Sequence, residues 1–475
     1  MTAPSALLTD FYQITMAQGY RAEGLHETTA CFDVFFRHNP FGGGYAVTAG
    51  LEDALKFLEN ARFSDDDVAF LKDEGIFKAD FLDWLKLFRF RGDVHAVPEG
   101  SVVFPMTPVL RVEGPLAQCQ LMETPLLNII NFQSLIATKA ARVCGAAGGN
   151  VVEFGLRRAH GPDGGLSASR AAYVGGCSAT SNALAGKTFG IPVSGTQAHS
   201  WVLAFGDELE AFRAYARIYP KNSIFLVDTY DTLKNGLPNA IKVGLEMKER
   251  GEKLVGIRLD SGDLAYLSIE ARRALDAAGL DYVKIVCSGE LEEFIIHDLK
   301  AQGAKIDVFG VGQNLVTAKG ESAFPGVCKL AALVEEGKWR PMMKLSDNVQ
   351  KSTLPGRKQV WRLRNSSGEM MADLLEIEGV SHDFSKGVVG THPFMEFKNK
   401  FYDGVSSAEP LLTPVMRGGA TTTTPPRLAE VRENARKGLD ALHPTYKRLL
   451  NPHVYKVSLG PKLAEEARML RNSPR

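Results

Sequence analysis

The pattern of apolar and polar positions changes character near residue 126. Before it, helix-like and strand-like segments are mixed, among them LTDFYQITMAQGY, TTACFDVFF and AGLEDALKFLEN, followed by short strands punctuated by Pro and Gly. After it, amphipathic stretches such as DELEAFRAYARI and AYLSIEARRALDAAG alternate with short runs rich in Val and Ile. Such alternation is typical of βα units in a parallel sheet. The pattern predicts an α+β domain over residues 1–125 and an α/β domain over residues 126–340.

Six apolar runs are the predicted strands of the second domain. They are VVEFG (151–155), IPVSG (191–195), SIFLVD (223–228), LVGIRLD (254–260), VKIVCS (283–288) and IDVFG (306–310). Their spacing fits either a doubly wound sheet or most of an eight-stranded barrel. Polar residues follow every run, and groups at all the strand ends converge only if the strands form a closed ring. The sequence therefore favours a TIM-like α/β barrel, against the alternative that these residues merely cap helices.

The polar residues that follow the runs are candidate site residues. In chain order they are Arg157, Arg158, Thr196, His199, Asp228, Asp231, Arg258, Asp260, Ser261, Gly262, Asp263, Ser288, Gly289, Gly310 and Gly312. If the strands form a barrel, we expect these side chains to meet at one end of it.

Residues 341–475 form a third predicted region. It contains the strand-like segments QVWRLRN and EMMADLLEIEG, then a Thr-, Pro- and Gly-rich linker, then the helix-like segment RLAEVRENARKGLDALH. We interpret it as a C-terminal extension that is attached to the N-terminal domain or partly folded back on it.

Composition narrows the possible partners. The chain is 45% hydrophobic and 23% charged, and its 55 Lys and Arg balance its 55 Asp and Glu. No excess charge therefore indicates a nucleic-acid or anionic-membrane partner. The six cysteines are scattered without a C-x-x-C pair, and the sequence shows neither an export signal nor an apolar stretch long enough to span a membrane. These features predict a cytoplasmic protein.

Several segments together resemble the nicotinate phosphoribosyltransferase family. They are LTDFYQITMAQGY, EFGLRRAHGPDGG, GTQAHSW, VDTYDT, IRLDSGDL, FGVGQNLVT and KLSDNVQKSTLPGRKQVWR. Each is modest alone, but in this order they are specific, and the resemblance runs from residue 7 to about residue 363. It implies an irregular α/β barrel with an N-terminal α/β sandwich domain, a homodimer, and ATP-coupled, Mg²⁺-dependent transfer of a phosphoribosyl group from phosphoribosyl pyrophosphate to nicotinate in NAD biosynthesis.

Arg258 is the candidate for the nicotinate carboxylate. A planar guanidinium binds a carboxylate through two parallel hydrogen bonds, and Arg258 lies at the end of the fourth predicted strand. The resemblance indicates the same residue and adds Tyr12 for the ring and Thr196 as a further donor. The structural alternative is that Arg258 only pairs with Asp260 or Asp263.

Arg157 and Arg158 are the candidates for pyrophosphate. They precede HGPDGG, interpreted as a Gly-rich loop whose backbone N–H groups can approach phosphate. The alternative for either arginine is an ordinary ion pair with an acidic helix face.

The remaining phosphate and phosphoribosyl pyrophosphate candidates lie in later loops. They are Ser200, Ser261, Gly262, Ser288, Gly289, Gly310, Gly312 and Gln313. Gln313 is a departure from the family, in which many members have Thr directly after the Gly-x-Gly, although an amide can still donate to phosphate.

Asp228, Asp231, Asp260 and Asp263 are the candidate carboxylates for catalysis, for ribose hydroxyls or for Mg²⁺ held largely through water. The sequence does not say which carboxylate does which. At least one of the four is expected to be only a helix cap.

His199 corresponds to the position that the family phosphorylates with ATP. A neutral imidazole can accept a phosphoryl group, and the hydroxyls of Thr196 and Ser200 are placed to hold its oxygens. Outside this motif, a lone loop histidine would be interpreted as structural.

Three other functions compete with this one. A nicotinamide-using phosphoribosyltransferase would need an acceptor for an amide instead of a cation such as Arg258. A quinolinate enzyme would need more cationic charge and no phosphorylatable histidine. A non-catalytic sensor of pyridines or nucleotides on the same barrel is indicated only by Gln313.

Overall fold

The structure is a computed structural model that describes residues 5–346 and 351–473 of the 475-residue chain. The chain divides into two compact units, one of Met1–Leu135 with Ala323–Arg475 and the other of Ile136–Ser322. The α-helices are α1 Phe11–Ala22, α2 Leu51–Asn60, α3 Asp65–Asp73, α4 Ala79–Lys86, α5 Leu116–Leu121, α6 Glu123–Ala147, α7 Gly161–Val174, α8 Ala183–Phe189, α9 His199–Phe205, α10 Glu208–Ile218, α11 Leu237–Glu249, α12 Leu264–Ala277, α13 Glu293–Ala301, α14 Gln313–Val316, α15 Leu428–Asp440 and α16 Pro461–Asn472. The strands are β1 Thr29–Phe36, β2 Ala46–Val47, β3 Asp93–Ala96, β4 Val102–Val103, β5 Leu110–Pro115, β6 Val151–Glu153, β7 Ala179–Thr180, β8 Ile224–Leu226, β9 Gly256–Leu259, β10 Lys284–Cys287, β11 Val308–Val311, β12 Gly326–Glu335, β13 Lys338–Pro341, β14 Lys358–Arg364, β15 Met370–Ile377, β16 Val388–Thr391, β17 Asn399–Tyr402, β18 Ser407–Pro410, β19 Thr413–Arg417, β20 Ala420–Thr421 and β21 Val457–Leu459.

The first unit is built on two large sheets with helices. Its seven-stranded sheet has the order β13-β12-β1-β5-β3-β19-β20, and its six-stranded sheet the order β17-β16-β21-β15-β14-β18. Strand β19, from late in the chain, pairs antiparallel with the early strand β3. In the six-stranded sheet, Arg362 of β14 forms a buried ion pair with Asp373 of β15 at 2.9 Å. Residues from both ends of the chain therefore share one unit.

The second unit contains a parallel sheet with the order β7-β6-β11-β10-β9-β8. Every neighbouring pair of its strands is parallel. The strands are short and mostly buried, since helices cover them, and this explains the continuous apolar runs in the sequence. Because parallel strands end at the same edge, the side chains that follow them are brought together there.

The sheet does not confirm a closed barrel. In the described part of the chain, its edge strands β7 and β8 are not paired with each other, so the second unit is established as a mixed α/β fold. The predicted strand at residues 191–195 is wrong: this segment makes only a single parallel bridge, between Val193 and Thr180. Pro192 lacks the N–H that a ladder needs, and Val193 is 63% exposed. The real strand on this side, β7, is too short for its pattern to predict it.

The other predicted elements that are strongly periodic are confirmed. The helical patterns correspond to α1, α2, α10, α12 and α15, and the strand-like segments to β1, β14 and β15. Within the described ranges, no helix combines the length and the apolar character that a membrane crossing requires.

The six cysteines are all buried, and none is in a disulfide. Burial, with a smaller contribution from the nearby Asp228 carboxylate, raises the pKa of the Cys287 thiol to about 12. A thiol with that pKa is protonated at neutral pH and is a poor nucleophile. The cysteines therefore contribute packing, and the candidate chemistry lies elsewhere.

Candidate active site

Arg258 is the centre of the cluster at the ends of the parallel strands. Its side chain is 16% exposed. Its Nε donates to Ser288 Oγ at 2.8 Å, one Nη to Thr196 Oγ1 at 2.9 Å and the other Nη to Asp260 Oδ1 at 2.7 Å. A weaker contact of 3.5 Å joins the first Nη to the carbonyl oxygen of Gln197. Since a guanidinium has five N–H donors, these contacts leave one N–H of the second Nη without a partner and another only weakly bonded.

The expected alternative for Arg258, a pair with Asp260, is therefore present in the structure. It coexists with residual donor capacity, so it does not by itself exclude a ligand carboxylate. Asp263, the other carboxylate considered as a partner, does not pair with Arg258 in the described residues.

Asp228 connects this cluster to His199. One carboxylate oxygen, Oδ1, lies 3.2 Å from His199 Nε2. The other, Oδ2, accepts from the backbone N–H of Asp260 at 3.1 Å and from Ser261 Oγ at 2.5 Å. The Asp228 side chain is 3% exposed, whereas that of His199 is 43% exposed. Because an ionised carboxylate can only accept, the tautomer of a neutral imidazole that satisfies this contact carries its hydrogen on Nε2 and its lone pair on Nδ1.

Asp260 is held in its ionised form. Burial alone would raise the pKa of this carboxyl, but hydrogen bonds from Ser288 and Arg258, with the charge of Arg258, outweigh it and lower the pKa. A negative charge therefore remains beside Arg258 throughout the neutral pH range.

Asp231 and Asp263 are helix N-caps. Asp231 accepts from the backbone N–H groups of Leu233 and Lys234, and Asp263 accepts from that of Tyr266. Each carboxylate therefore has a sufficient structural explanation. In the described residues, no group of three or more His, Cys, Asp or Glu side chains is arranged to hold a metal ion. Of the four candidate metal carboxylates, only Asp228 and Asp260 lie in the cluster.

Arg157 and Arg158 lie in a 3₁₀ turn, Leu156–Arg158, directly after β6. Both side chains are exposed, and neither has a hydrogen-bond or ion-pair partner in the described part of the chain. The expected structural alternative, a pair with an acidic helix face, is thus not what the structure shows. Two guanidinium groups at the end of the sheet remain available to an anion.

The loop predicted for the HGPDGG segment from its glycines is wrong, because the segment begins a helix. His160 is the N-cap of α7, and Gly161–Gly165 form its first turn with Pro162 near the start. Proline is tolerated there because the first N–H groups of a helix have no partner within it. The backbone N–H groups expected to approach phosphate therefore belong to a helix N-terminus.

His199 is the first residue of α9, and Ser200 is exposed beside it. The loop expected around the histidine is therefore a short helix that starts there. Trp201 holds this helix against α10 by donating from Nε1 to the carbonyl of Ala211 at 3.0 Å. Thr196 bonds to Arg258 rather than approaching His199 by any hydrogen bond in the described residues.

The later candidate residues occupy turns at the same edge of the sheet. Ser288 is 3% exposed, and Gly289 has a φ of +115° where an added Cβ would lie 2.9 Å from the Asp260 carbonyl oxygen. Ser261 and Gly262 are exposed in the turn before α12. Backbone geometry therefore requires a glycine at position 289.

Gly310 and Gly312 flank Val311 at the end of β11. At Gly310 a Cβ would lie 2.5 Å from the ring of Phe154, and at Gly312 it would lie 3.1 Å from that residue's carbonyl oxygen. Gln313 is exposed at the start of α14, with its side-chain amide unbonded in the described ranges. The absence of a side chain at Gly310 is therefore explained by packing against Phe154.

Three residues of this region were not predicted from the sequence. Glu153 is a fully buried carboxylate at the end of β6. Phe154 lies beneath Arg258, with the guanidinium carbon 5.8 Å from the ring centroid. Gln197 is 5% exposed, and neither atom of its side-chain amide has a partner in the described residues. All three lie within motifs that the sequence analysis quoted, but their burial depends on long-range packing.

Tyr12 lies on α1 of the first unit and is 53% exposed. Its hydroxyl accepts from Gln13 Nε2 at 3.0 Å. Burial and the nearby Glu123 and Asp10 raise its pKa, so the phenol is protonated at neutral pH. A ring contact to nicotinate stays a prediction.

Comparisons with known proteins decide the family. Residues 7–131 match the model of the nicotinate phosphoribosyltransferase N-terminal domain, and residues 357–466 match that of the C-terminal domain. The nicotinate phosphoribosyltransferase of Bacillus subtilis is 46% identical over 457 residues, which cover 96% of this chain and 93% of that protein. The chain belongs to the nicotinate phosphoribosyltransferase family.

Solved structures agree with this family and extend along nearly the whole chain. The human nicotinic acid phosphoribosyltransferase superposes with a TM-score of 0.85 at 35% identity, covering 98% of this chain and all of that one. The nicotinate-nucleotide pyrophosphorylase of Pyrococcus furiosus gives a TM-score of 0.70 at 26% identity, covering 92% and 95%. The recognised part of the chain is therefore longer than the motifs predicted: the family's C-terminal domain extends to residue 466, about a hundred residues beyond the last motif.

Proposed function

We propose that this member of the family joins nicotinate to phosphoribosyl pyrophosphate, forming nicotinate mononucleotide and pyrophosphate, and couples the reaction to hydrolysis of ATP. The observation that carries the proposal is the continuous network of Arg258, Asp260, Asp228 and His199 at the ends of the parallel strands. It links a guanidinium suited to a ring carboxylate, through Asp260 and Asp228, to the histidine proposed to be phosphorylated.

The transfer step needs positioning and charge neutralisation more than it needs a protein nucleophile. The pyridine nitrogen of nicotinate attacks the ribose C1, the bond from C1 to pyrophosphate breaks, and negative charge collects on the leaving group. Arg157 and Arg158, which are exposed and have no partner among residues 5–346 and 351–473, are proposed to bind that charge. The rest of the phosphoribosyl site is proposed to be lined by residues of the later turns, which are Ser261, Gly262, Ser288, Gly289, Gly310, Gly312 and Gln313.

Nicotinate is proposed to bind through its carboxylate to the remaining donors of Arg258 and to Thr196. Because an amide is neutral, nicotinamide would gain less from a guanidinium that already faces Asp260. This charge preference favours nicotinate over nicotinamide as the substrate.

Mg²⁺ fits this site in part. The ion prefers hard oxygen ligands and commonly keeps water while using one or two carboxylates with substrate phosphates. Asp228 and Asp260 supply such oxygens, whereas Asp231 and Asp263 are used as helix caps. When bound, Mg²⁺ would neutralise pyrophosphate charge.

His199 is proposed to be the phosphoryl acceptor. Its Nδ1 lone pair would attack the γ-phosphorus of ATP, ADP would leave, and water would later release the phosphate. Asp228 orients the ring through Nε2, and Ser200 lies beside it as a hydroxyl donor.

Four further features of the whole protein complete the proposal. We propose that the parallel sheet is part of an irregular barrel, because the bridge from Thr180 to Val193 extends it past β7. We also propose that the sequence divides into the stretches 1–125, 126–340 and 341–475, of which the middle one contributes most of strands β12 and β13 to the sheet of the first unit. We further propose a homodimer and a cytoplasmic location consistent with six buried thiols. Light scattering of the purified protein would test the dimer.

One assay tests the activity. The protein is incubated with phosphoribosyl pyrophosphate, Mg²⁺ and either nicotinate or nicotinamide, with and without ATP, while pyrophosphate release and mononucleotide are measured. We expect nicotinate-dependent product whose yield rises with ATP. Binding without turnover would instead support a sensor, and preferential use of nicotinamide would contradict the role of Arg258.

His199→Ala tests the coupling. The variant should lose ATP hydrolysis and the acid-labile, base-stable label from γ-labelled ATP, while it keeps some ATP-independent synthesis at a higher KM for phosphoribosyl pyrophosphate. Label transfer to the His199→Ala protein would show that another residue is the acceptor.

A further inference from the structure

Glu153 is a buried carboxyl group for which the proposed reaction has no direct use. It ends strand β6, its residue is fully buried, and no cation pairs with it in the described residues. Burying a polar group is costly unless hydrogen bonds satisfy it, and an apolar residue would be easier to accommodate at the end of a buried strand. The groups that are hydrogen-bonded to Glu153 should therefore explain why a carboxyl group is found at this position.

Three donors from three different elements converge on this carboxylate. Oε1 accepts from the backbone N–H of Gly155, and Oε2 accepts from Ser169 Oγ at 2.9 Å and from Thr180 Oγ1 at 2.6 Å. Ser169 belongs to α7 and Thr180 to β7. Asn182 extends the network by donating to Ser169 Oγ at 3.2 Å. One side chain thus ties the end of β6 to the helix and strand that follow it.

The tie to Gly155 fixes the turn that carries the two exposed arginines. The carbonyl of Gly155 accepts from the backbone N–H of Arg158 at 2.8 Å, which closes the 3₁₀ turn. The backbone N–H of Gly155 donates to Glu153 Oε1. A Cβ at Gly155 would collide with Val316 of α14, so this residue is also packed against the turn that follows β11. Gly155 is therefore fixed at its N–H, its carbonyl and its Cα.

We propose that Glu153 is a positioning residue for phosphoribosyl pyrophosphate: it fixes the Arg157–Arg158 turn relative to α7 and β7 without touching the substrate. This inference rests on the pyrophosphate role proposed for those arginines. A purely structural carboxylate would affect both substrates equally, whereas a residue that positions this turn affects the substrate carrying pyrophosphate.

The test compares Glu153→Ala and Glu153→Gln with a matched control, Glu208→Ala. Glu208 is a buried carboxylate of the same unit, 6% exposed, that accepts from Asn239 Nδ2 at 2.9 Å. We expect Glu153→Ala to raise the KM for phosphoribosyl pyrophosphate on the order of tenfold or more, since a buried N–H loses its acceptor, and to change the KM for nicotinate by less than about threefold. Glu153→Gln keeps an oxygen for Gly155 and should restore most of the affinity.

Three outcomes would overturn the proposal. They are equal changes in both KM values, a split no larger than that of Glu208→Ala, and failure of Glu153→Gln to restore affinity in a protein of unchanged melting temperature. If Glu153→Ala does not fold, Ser169→Ala and Thr180→Val each remove one donor, and both must raise the KM for phosphoribosyl pyrophosphate more than that for nicotinate.

Arg157→Ala and Arg158→Ala, measured in parallel, distinguish this inference from the proposed function. If neither changes the KM for phosphoribosyl pyrophosphate, the pyrophosphate site itself is wrongly placed. If they do and the Glu153 variants do not, only the positioning role fails.

Discussion

Asp228→Asn is the substitution that tests the network most sharply. The two carboxylate oxygens have different duties: Oδ1 faces His199 Nε2, and Oδ2 faces the backbone N–H of Asp260. A backbone N–H can only donate, so the oxygen of the new amide must face Asp260. The NH₂ group then faces His199 and requires an acceptor at Nε2, which moves the imidazole hydrogen to Nδ1. The substitution therefore removes the lone pair from the nitrogen proposed to attack ATP.

The expected loss exceeds that of one hydrogen bond. A hydrogen bond to a charged group contributes about 1.5–3 kcal/mol. Reversal of the histidine tautomer by the equivalent Asp→Asn change in serine protease triads lowers kcat by roughly 10⁴-fold. We expect phosphoryl transfer to His199 to fall by about 10²- to 10⁴-fold, equivalent to about 3–5 kcal/mol in the barrier. Initial rates of label transfer from γ-labelled ATP, with base-stable and acid-labile recovery, measure this directly.

Asp231→Asn is the matched control. It makes the same chemical change three residues along the chain, at a carboxylate that caps a helix, and asparagine caps helices about as well as aspartate. Its labelling rate should stay within about twofold of the wild type. Labelling of Asp228→Asn at a rate close to that of Asp231→Asn would refute both the tautomer argument and the assignment of Nδ1.

Three further predictions concern the nicotinate carboxylate, the pyrophosphate with its metal ion, and a buried amide. Arg258→Ala should weaken nicotinate binding by about 2–5 kcal/mol and reduce the preference for nicotinate over nicotinamide. Comparing the two substrates on the same variant cancels any general damage to the protein. An unchanged preference would contradict the role of Arg258 in binding the carboxylate. A chelator should abolish turnover, and added Mg²⁺ should restore it; metal-independent turnover would contradict the leaving-group argument. Arg157→Ala or Arg158→Ala should raise the KM for phosphoribosyl pyrophosphate and leave the KM for nicotinate nearly unchanged. Gln197→Leu should raise the melting temperature by roughly 2–8 °C, because a buried amide that has no partner among the described residues costs about 1–3 kcal/mol. Gln302→Leu is the control and should not raise it, because that amide is exposed and donates to Asp298 Oδ2 at 2.7 Å. An unchanged or lower melting temperature for Gln197→Leu would mean that Gln197 has a partner in solution.

The parallel sheet could be predicted because its strands are buried on both faces. Burial imposes continuous apolar runs, and five of the six predicted strands are found as β6, β8, β9, β10 and β11. The failure at residues 191–195 shows the limit of this signal, since an apolar run containing Pro192 looks the same whether it is buried or exposed. Closure of the sheet, which the polar residues at the strand ends favoured, stays a prediction, because it depends on pairing between strands that are distant in the chain.

The four carboxylates show why the candidate site was only partly predictable. VDTYD and LDSGD both place two Asp residues three apart after a strand, and in both the first residue joins the cluster while the second caps the following helix. The reason is geometric: the first position is still at the strand end, and the second is where the next helix begins and needs an acceptor for its orphan N–H groups. Sequence spacing gives the pair, but the division of roles requires the structure.

Glu153 was missed for a different reason. Its partners Ser169 and Thr180 lie 16 and 27 residues away, and nothing in the local pattern distinguishes a buried strand-end glutamate from an exposed one. Long-range hydrogen bonding of this kind is set by how α7 and β7 pack beside β6. It is accessible only once those elements are placed.

The same network gives a physical route for coupling ATP to substrate binding. From His199 Nε2 to Asp228 Oδ1, from Asp228 Oδ2 to the Asp260 N–H, and from Asp260 Oδ1 to Arg258, three contacts of 3.2, 3.1 and 2.7 Å are continuous. If His199 is phosphorylated as proposed, the phosphoryl group adds about 1.5–2 negative charges at one end of this path. That charge would change the electrostatic environment of Asp228 and Asp260, and so the donors that Arg258 would offer to nicotinate. Within this path, His199 is contacted by Asp228 alone. Asp228→Asn should therefore remove the effect of ATP on the KM for nicotinate, even in a variant that keeps ATP-independent synthesis.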